Sequence, residues 1–283
     1  MLKCGITGHT GVLGKKITKF FNFNFIKFQG DISNIKDTEN WIKKNKFDLI
    51  IHLAAIVPTK KVKLNYKNAL SVNYNGTKNL IKSINKHKIK LKWFFFSSTS
   101  HVYQARNRFK LINEESKKIP YTEYGKTKLY AERYIKKYLN KKYKKCIGRI
   151  FSFTDAKQTK DYFLPSVNSK INDSNKKKIY FYNSNHYRDF IDTYDICSAI
   201  QKLWSKRANG TFNIGTGIAT NLKDIIIYIC KRRDKIPIFI EKEKKSSYII
   251  ADIKKIKNLN WLPKKNLISI LNKYLKSINL PNR

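Results

Sequence analysis

The chain has 283 residues, of which 41% are hydrophobic and 13% aromatic, and this composition excludes an intrinsically disordered protein. It carries 60 Lys and Arg against 19 Asp and Glu, a formal net charge of +41. The lysines are scattered, Arg is scarce, and the wealth of Lys, Asn, Ile, Phe and Tyr beside 11 Gly and 6 Pro is typical of A+T-rich coding. Because Arg is the residue preferred for reading phosphates and bases, we expect no specific nucleic-acid partner.

The first half of the chain alternates short apolar runs with helical patterns. The predicted strands are Leu2–Thr7, Phe25–Phe28, Leu49–Ala54, Leu91–Ser97 and Lys145–Ile150. The predicted helices between them are Leu13–Phe21, Lys36–Lys44, Ala69–His87 and Thr122–Leu139. Continuous apolar strands that alternate with helices predict an α/β fold, in which a doubly wound parallel sheet is covered by helices on both faces.

The second half is more mixed and predicts a smaller C-terminal α/β lobe. Its predicted elements are a strand that runs into a glycine turn, Gly210–Gly217, the strands Ile179–Tyr182 and Ile236–Glu241, and the helices Leu222–Lys231 and Leu267–Ile278. We place the first domain at residues 1–155 and the lobe at residues 156–283. Parts of residues 185–217 are expected to pack back on the first domain.

The spacing of the cysteines and the length of the apolar segments argue against a metal site and a membrane-spanning helix. The four cysteines lie far apart without a CxxC pair, and no His, Cys, Asp and Glu residues have ligand spacing, so we predict no metal site. The most apolar window, residues 49–58, is too short to span a bilayer, and the N-terminus lacks the apolar run of a signal peptide. We therefore expect a cytoplasmic protein with no membrane span.

A glycine-rich turn follows the first predicted strand and opens the first helix. Gly8, Gly11 and Gly14 have the spacing GxxGxxG, which suits a tight turn whose backbone approaches a pyrophosphate closely. The N–H groups and the positive end of the helix dipole then hold the phosphates. The turn predicts a dinucleotide site whose contacts come from Gly8, Thr10, Gly11, Val12, Leu13 and Gly14.

The acidic residue that usually follows this turn by about 20 residues, and binds the adenosine ribose, has no clear counterpart. A single predicted strand, Phe25–Phe28, precedes Gly30-Asp31-Ile32, so the strand whose end separates NAD from NADP is predicted to be truncated or merged. Asp31 and Ile32 are candidate contacts to the adenosine, and the choice between NAD and NADP stays open.

Tyr124 and Lys128 form a YxxxK pair on a predicted helix. The i,i+4 spacing places both side chains on one face, where the ammonium is expected to lower the pKa of the phenol and make it a general acid or base. Tyr138 and Lys142 have the same spacing, so the pair alone is weak evidence. The pair is strengthened by the segment 96–103 (FSSTSHVY), whose hydroxyl groups lie at the end of a buried strand, where ligands bind in such sheets.

The glycine turn, the strand-end hydroxyl group and the YxxxK pair follow one another in this order along the chain. With this order, the sequence resembles the extended short-chain dehydrogenase/reductases of the NAD-dependent epimerase/dehydratase family. The resemblance covers nearly the whole chain, through the segments TGHTGVLG, FSSTSHVY, YGKTK, RDFI and TFNIGTG. It implies a Rossmann-type NAD(P)-binding fold, a cofactor that is NAD or NADP, and a homodimer. It also places Leu53, Ala54 and Ala55 near the cofactor and makes Asn73 the asparagine that supports the active site.

The resemblance implies a nucleotide-sugar epimerase or 4-keto-sugar reductase that transfers a hydride at a sugar carbon, C4. Tyr124 would move the hydroxyl proton, Lys128 would lower its pKa and bind the nicotinamide ribose, and Thr99 would hydrogen-bond the reacting oxygen. The substrate is then a nucleotide-diphosphate sugar, with its diphosphate near Arg188. The residues expected to contact it are Thr99, Ser100, His101, Ser152 and Arg188.

Two departures from the family pattern limit this interpretation. Ser100-His101 follows Thr99 where sugar dehydratases carry Asp-Glu, which argues against a 4,6-dehydratase. Ser152 stands where many members have Asn. The sequence leaves open whether the protein is an epimerase or a reductase, and which sugar and nucleotide it uses. The alternative class is a non-catalytic protein that senses NAD(P) or binds polyanions on a dehydrogenase fold.

Overall fold

A parallel six-stranded sheet forms the centre of the computed structural model, which describes residues 1–242 and 245–278. Within these residues the strands are, in chain order, β1 (Lys3–Thr7), β2 (Asn24–Lys27), β3 (Leu49–His52), β4 (Trp93–Thr99), β5 (Lys144–Ile150), β6 (Lys178–Tyr182), β7 (Tyr187–Arg188), β8 (Gly210–Ile214), β9 (Thr220–Asn221), β10 (Ile236–Ile240) and β11 (Tyr248–Ile249). The helices are α1 (Val12–Phe20), α2 (Ile35–Lys44), α3 (Thr59–Leu64), α4 (Tyr66–Leu70), α5 (Gly76–Lys86), α6 (Glu123–Tyr138), α7 (Phe163–Asn172), α8 (Thr193–Ser205), α9 (Leu222–Lys231), α10 (Lys254–Lys257) and α11 (Leu267–Ser277).

The sheet has the strand order β2-β1-β3-β4-β5-β8, and every neighbouring pair is parallel. Successive side chains of β4 serve opposite faces: Phe95 joins the core beneath α1 and α8, while Phe94 and Phe96 join the core beneath α2, α5 and α6. Strands buried on both faces have to be apolar throughout, which explains their continuous hydrophobic runs. The predicted doubly wound sheet is confirmed.

The carboxyl ends of the central strands meet at one edge of the sheet. Thr7 pairs with His52 across β1 and β3, and Thr99 pairs with Ile150 across β4 and β5. In a parallel sheet of this order, this edge is the place where ligands bind. The register therefore brings the glycine turn after β1 and the hydroxyl at the end of β4 to the same side of the molecule.

The strand after α1, predicted to be truncated or merged, is short and forms a separate strand of the central sheet. β2 has four residues and pairs along its whole length with β1, from Lys3 opposite Asn24 to Ile6 opposite Lys27. It is the edge of the sheet, and the chain then passes directly into Gly30 and Asp31. The strand is short, but it occupies the position beside β1.

The helix predicted over residues 69–87 is longer and interrupted. It begins at Tyr66, and the stretch Ser71–Asn75 forms a π-helical turn between α4 and α5. This turn contains Asn73, whose amide bonds both the N–H and the carbonyl of Ile56. A π turn inside a helix is frequent at functional sites.

A third core joins the elements of the second half. Helices α7, α9 and α11 pack against a two-stranded parallel sheet of β6 and β10. Strand β7 lies between β9 and β11 in a separate three-stranded sheet. Strand β8 lies at the edge of the central sheet, and α8 packs against α1. The division of the chain at residue 155 stays a prediction. None of the helices in the described ranges is long and apolar enough to cross a bilayer.

Candidate active site

A cavity of about 620 Å³ opens at the carboxyl edge of the central sheet. Its size is that of a site for a small molecule or cofactor. It runs from the glycine turn, past the end of β4 and the first turns of α6, to the segment after β5 and to Arg188. The predicted site residues that line it are Gly8, Thr10, Gly11, Val12, Leu13, Gly14, Leu53, Ala55, Thr99, Ser100, His101, Tyr124, Lys128, Ser152 and Arg188.

The glycine turn has a shape that other residues would block. Gly8 has a φ of +71°, and a Cβ at this position would lie 2.6 Å from the backbone nitrogen of Ala54. A Cβ on Gly14 would overlap the carbonyl oxygen of Gly8. Helix α1 starts directly after Gly11, and no side chain within the described ranges caps its first turn. The turn thus leaves a helix N-terminus facing the cavity, and this arrangement fits a pyrophosphate.

A buried chain of hydrogen bonds holds the segment that faces the glycine turn. The Thr7 hydroxyl accepts the N–H groups of Leu53 and Ala54, both at 3.2 Å, so its own proton is directed to Nδ1 of His52 at 2.6 Å. The other His52 nitrogen then donates to Thr77 at 2.9 Å. Burial, with the charge of Lys128, lowers the pKa of His52 to about 3, so the imidazole is neutral. His52 is a positioning residue.

Helix α6 carries the predicted Tyr–Lys pair into the cavity. Thr122 caps the helix by accepting the N–H of Gly125 at 3.0 Å. A Cβ on Gly125 would overlap the carbonyl oxygen of His101, so glycine is needed for the close approach of α6 to the loop after β4. Tyr124 and Lys128 both line the cavity, one helical turn apart.

The pKa values of this pair differ from the expectation. Burial raises the pKa of Tyr124, and the nearby Tyr162 adds to this, so the phenol keeps its proton near neutral pH. The Lys128 ammonium lies 4.1 Å from the centre of the Phe96 ring, and burial lowers its pKa to about 7, against an opposing effect of Glu132. The sequence argument counted the charge of the lysine and missed the burial of both groups.

A buried ion pair lies beneath these two side chains. Arg149 donates to both carboxylate oxygens of Glu132, at 2.9 and 2.6 Å, and neither side chain is more than 1% exposed. Ser98 donates to the same carboxylate at 2.5 Å, and Arg149 also donates to the Tyr103 hydroxyl at 2.8 Å. Glu132 lies one helical turn beyond Lys128 and raises its pKa. The network joins β4, β5 and α6 behind the cavity.

His101 presents a neutral imidazole to the cavity. The Thr122 hydroxyl accepts the N–H of Gly125 and shares a second hydrogen bond with His101 Nδ1 at 3.3 Å, in which the imidazole tautomer determines the donor. Burial and the charge of Arg188 lower the pKa of His101 to about 4. The ring stacks on Tyr121 at 5.4 Å between centroids and meets the edge of Tyr124 at 5.9 Å. Its other ring nitrogen can form one hydrogen bond with a bound molecule.

The far end of the cavity is cationic. One nitrogen of the Arg188 guanidinium donates to the carbonyl oxygens of Tyr187 and Ser247 and to the Ser247 hydroxyl, which anchors the side chain. Burial lowers the pKa of Arg188, so an anion beside it would offset the cost of burying its charge. The charged residues that line the cavity are Lys61, Lys128, Lys157, Asp161 and Arg188. This balance fits a diphosphate.

The later sequence motifs prove to be structural ties around this end. The Asp189 carboxylate accepts N–H groups from Thr216, Gly217 and Ala251 at 2.8 to 3.1 Å. It thereby joins the RDFI and TFNIGTG segments to Ala251, which follows β11. Asp195 accepts the N–H groups of Lys264 and Lys265 in the same way. Asp189 thus fixes the segment next to Arg188, and neither acid lines the cavity.

Four predicted site residues lie outside the lining of the cavity: Asp31, Ile32, Ala54 and Asn73. Asn73 is fully buried, and its amide is occupied by Ile56 and by the Thr127 hydroxyl at 3.1 Å, so it supports the site from behind and does not reach a cofactor in the cavity. Sequence reasoning missed other lining residues that no motif marks: Pro58, Thr59, Lys61, Tyr121, Thr154, Lys157, Gln158, Thr159, Asp161 and Tyr162.

No group of three or more His, Cys, Asp and Glu residues in the described ranges could hold a metal ion. The four cysteines are buried free thiols. Among them, burial raises the pKa of Cys230 to about 11, which keeps this thiol protonated.

Comparison with known proteins settles the family. The model of the NAD-dependent epimerase/dehydratase family matches residues 4–215. The chain belongs to this family. The family's name includes a nicotinamide dinucleotide, and the glycine turn and the N-terminus of α1 fit the pyrophosphate of such a group.

Individual relatives are distant. A GDP-6-deoxy-D-talose 4-dehydrogenase from Aggregatibacter actinomycetemcomitans is 28% identical over 246 residues, which cover 81% of this chain and 80% of that protein. A dTDP-D-glucose 4,6-dehydratase from Dictyostelium discoideum is 28% identical over 225 residues, 74% of this chain and 50% of its own length. The structure of RMD from Pseudomonas aeruginosa complexed with NADPH has a TM-score of 0.83 at 17% identity, with 98% of each chain covered. This last likeness shows the Rossmann-like fold.

Proposed function

We propose that the protein transfers a hydride reversibly at C4 of the sugar in a nucleotide-diphosphate sugar, as a 4-epimerase or as a 4-keto reductase. The observation that supports this proposal most strongly is that one cavity is lined by the glycine turn, by Thr99, Tyr124 and Lys128, and by the anchored Arg188. These parts suit a dinucleotide, a reacting alcohol or ketone, and a diphosphate, respectively. The Aggregatibacter relative, named as a 4-dehydrogenase of a nucleotide sugar, supports both C4 and the substrate class.

A bound nicotinamide supplies the chemistry that the side chains lack, the loss or gain of a hydride. In the direction of ketone reduction, Tyr124 keeps its proton at neutral pH and donates it to the carbonyl oxygen. Thr99 accepts the N–H of His101 at 3.3 Å, so its own hydroxyl proton is available to the same oxygen. The charged Lys128 stabilises the phenolate that remains on Tyr124 until solvent returns the proton.

We propose that the protein is not a 4,6-dehydratase, although a dehydratase is among its relatives. Dehydration also removes a proton and expels a hydroxyl group at neighbouring carbons, which requires a further acid and base. Ser100 is a poor base, and burial lowers the pKa of His101 to about 4, so its imidazole binds a proton weakly. The two residues after Thr99 thus lack the carboxyl groups that sugar dehydratases carry at these positions.

We also propose a homodimer, in line with the family resemblance. Four tyrosines form a continuous aromatic row on α6 and on the π-helical turn before α5, with ring centroids 4.4 to 6.2 Å apart: Tyr74, Tyr130, Tyr134 and Tyr138. Tyr130 and Tyr138 are well exposed. Sedimentation equilibrium should give twice the chain mass, and Tyr130→Asp should lower it. A monomer at all concentrations would contradict the dimer.

The function is tested by native mass spectrometry followed by a thermal-shift panel of nucleotide sugars with different bases and sugars. We expect a nicotinamide dinucleotide to bind and at least one nucleotide sugar to raise the melting temperature. Turnover with that sugar then separates the two reactions. An epimerase retains its cofactor and shows no net redox change, whereas a reductase exchanges it each cycle. Loss of all nucleotide binding, with polyanion binding that collapses in salt, would favour the non-catalytic alternative.

A further inference from the structure

The segment that follows β5 returns across the sheet to the helix that follows β1. Phe153 packs on the core beneath α1 and α8, and Asp155 forms an ion pair with Lys16 of α1, with 3.0 Å between Oδ2 and Nζ. Because β3 and β4 lie between β1 and β5 in the sheet, the two outer strands of this group are about 14 Å apart. Residues 153–162, which we call the strap, therefore extend from the end of β5 back towards the glycine turn.

The strap forms one wall of the cavity. Most of its residues line the same cavity as the glycine turn and Tyr124. Among them, Thr154 is 8% exposed, and its hydroxyl has no hydrogen-bond partner in the described part of the chain. Because buried polar atoms normally have a partner, this hydroxyl is suited to a group of a bound molecule. A dinucleotide that extends from the glycine turn towards Tyr124 would pass along this wall.

The strap is braced internally and has few ties to the rest of the fold. Gln158 accepts the N–H of Asp155 at 3.2 Å and donates to the Phe153 carbonyl at 3.3 Å. Asp155 Oδ1 accepts the N–H of Lys157 at 3.0 Å, which leaves Oδ2 for Lys16. The other hydrogen bonds of the strap within the described residues join its own members or lead into α7. The ion pair is thus the polar contact that ties the strap to α1.

This ion pair is partly open to solvent. The Asp155 side chain is 8% exposed, whereas that of Lys16 is 38% exposed. A buried carboxylate needs its counter-charge, but water and salt screen the exposed side of the pair and weaken it. A segment that is held by few contacts opens at a low free-energy cost. The contact therefore fastens the strap and still allows it to open.

We propose that the ion pair between Lys16 and Asp155 is a clasp that fastens the strap over a bound nicotinamide dinucleotide and sets the rate at which the dinucleotide leaves. The inference rests on the proposed function only in that a nicotinamide dinucleotide binds along the cavity from the glycine turn. It concerns the choice left open there, since an epimerase retains its cofactor and a reductase releases it in every cycle. Both residues act through the strap, as positioning residues.

Release kinetics test the clasp without turnover. The protein is loaded with NADH and, separately, with NADPH, and stopped-flow fluorescence follows the release of each after mixing with an excess of NAD⁺ or NADP⁺. Asp155→Asn removes the charge and keeps an oxygen for the N–H of Lys157, and Lys16→Gln removes the partner. We expect each variant to raise the dissociation rate constant about 5-fold. The double variant should be no faster than the faster single variant, because both changes break the same contact.

The direction of the two effects distinguishes the clasp from general electrostatics. The dinucleotide is an anion, so without a clasp Lys16→Gln would speed its release and Asp155→Asn would slow it. The clasp predicts faster release from both variants. Asp48→Asn is the matched control, because Asp48 pairs with Lys92 at 2.7 Å directly before β3 and β4, at the opposite edge of the sheet. This variant should release the dinucleotide at the unmodified rate.

The remaining outcomes contradict the clasp or the function separately. Unchanged release from both single variants, slower release from Asp155→Asn, or an equal acceleration by Asp48→Asn overturns the clasp while the proposed function stands. Multiplied effects in the double variant also overturn it. If Asp155→Asn does not fold, Lys16→Gln is compared with Lys19→Gln, which removes a charge from an exposed position on α1, and equal rates overturn the clasp. Binding of neither dinucleotide overturns the proposed function, and the inference with it.

Discussion

Replacing Glu132 by glutamine tests the buried ion pair that lies beneath the active site. The substitution keeps the size of the side chain but leaves the Arg149 guanidinium without its counter-charge, in a place where neither side chain is more than 1% exposed. It also removes the carboxylate that accepts from Ser98 and raises the pKa of Lys128. One change therefore has two expected effects, on stability and on the titration of the active site.

The stability effect follows from the burial of the pair. Removing one partner of a buried ion pair costs about 3–5 kcal/mol, because the other charge stays buried without compensation. For a chain of this size the melting temperature should fall by roughly 6–10 °C. Glu115→Gln is the control, since its carboxylate is 88% exposed and lies 3.9 Å from Lys118. Calorimetry should show almost no change for this variant.

The double variant Glu132→Leu/Arg149→Met separates charge from packing. If the cost of Glu132→Gln arises from an unpaired charge, removal of both charges should recover a large part of the lost stability. The pKa of Lys128 should fall below about 7 in Glu132→Gln, because the raising effect of the carboxylate is gone. Additive losses in the double variant, or an unchanged pH profile of cofactor binding and turnover in the single one, would refute the reasoning.

Three further predictions concern protons and the glycine turn. Burial lowers the pKa of His52 to about 3 from its ordinary value of 6.5, so its contribution to stability is complete above pH 6.5 and is lost as the pH falls towards 3. Urea unfolding and the imidazole NMR signals should show this loss, and an imidazole that titrates near pH 6.5 in the folded protein would contradict it. Gly14→Ala should lower the melting temperature and weaken dinucleotide binding, because the added Cβ would overlap the Gly8 carbonyl oxygen. Gly11→Ala should retain the fold, since its Cβ would lie 3.4 Å from the same oxygen. Equal melting temperatures of the two variants would contradict this prediction. The kcat/KM for ketone reduction should decline above pH 7 as Lys128 loses its proton, and Lys128→Arg should abolish this decline. If the decline is unchanged in Lys128→Arg, another group causes it.

The central sheet could be predicted from the sequence because each strand is apolar throughout. β4 is an example, since it buries Trp93, Phe94, Phe95 and Phe96 on two faces, and so short a run of aromatic residues favours a buried strand. The two-residue strands β7, β9 and β11 could not be predicted in this way. They owe their pairing to contacts far apart in the chain, such as the Asp189 carboxylate, and leave no local periodicity.

The candidate site shows the same division. Tyr124 and Lys128 could be predicted from their spacing on one helix, and Thr99 from the family resemblance of its strand end; all three line the cavity. Lys157 and Tyr162 were missed because the segment after β5 has no regular pattern, although both line the cavity. Burial depends on the whole fold, and for this reason the raised pKa of Tyr124 could not be predicted from its neighbours in the sequence.

The central claim is that Tyr124 donates the proton to the sugar oxygen during hydride transfer, and single-turnover reduction of a bound keto sugar nucleotide tests it most directly. Tyr124→Phe should bind cofactor and sugar nucleotide with unchanged affinity but slow the transfer by about 10²- to 10⁴-fold. Tyr138→Phe, which alters the other YxxxK pair at a 47% exposed position on the same helix, should react like the unmodified protein. A Tyr124→Phe variant that transfers hydride at the unmodified rate would contradict the account.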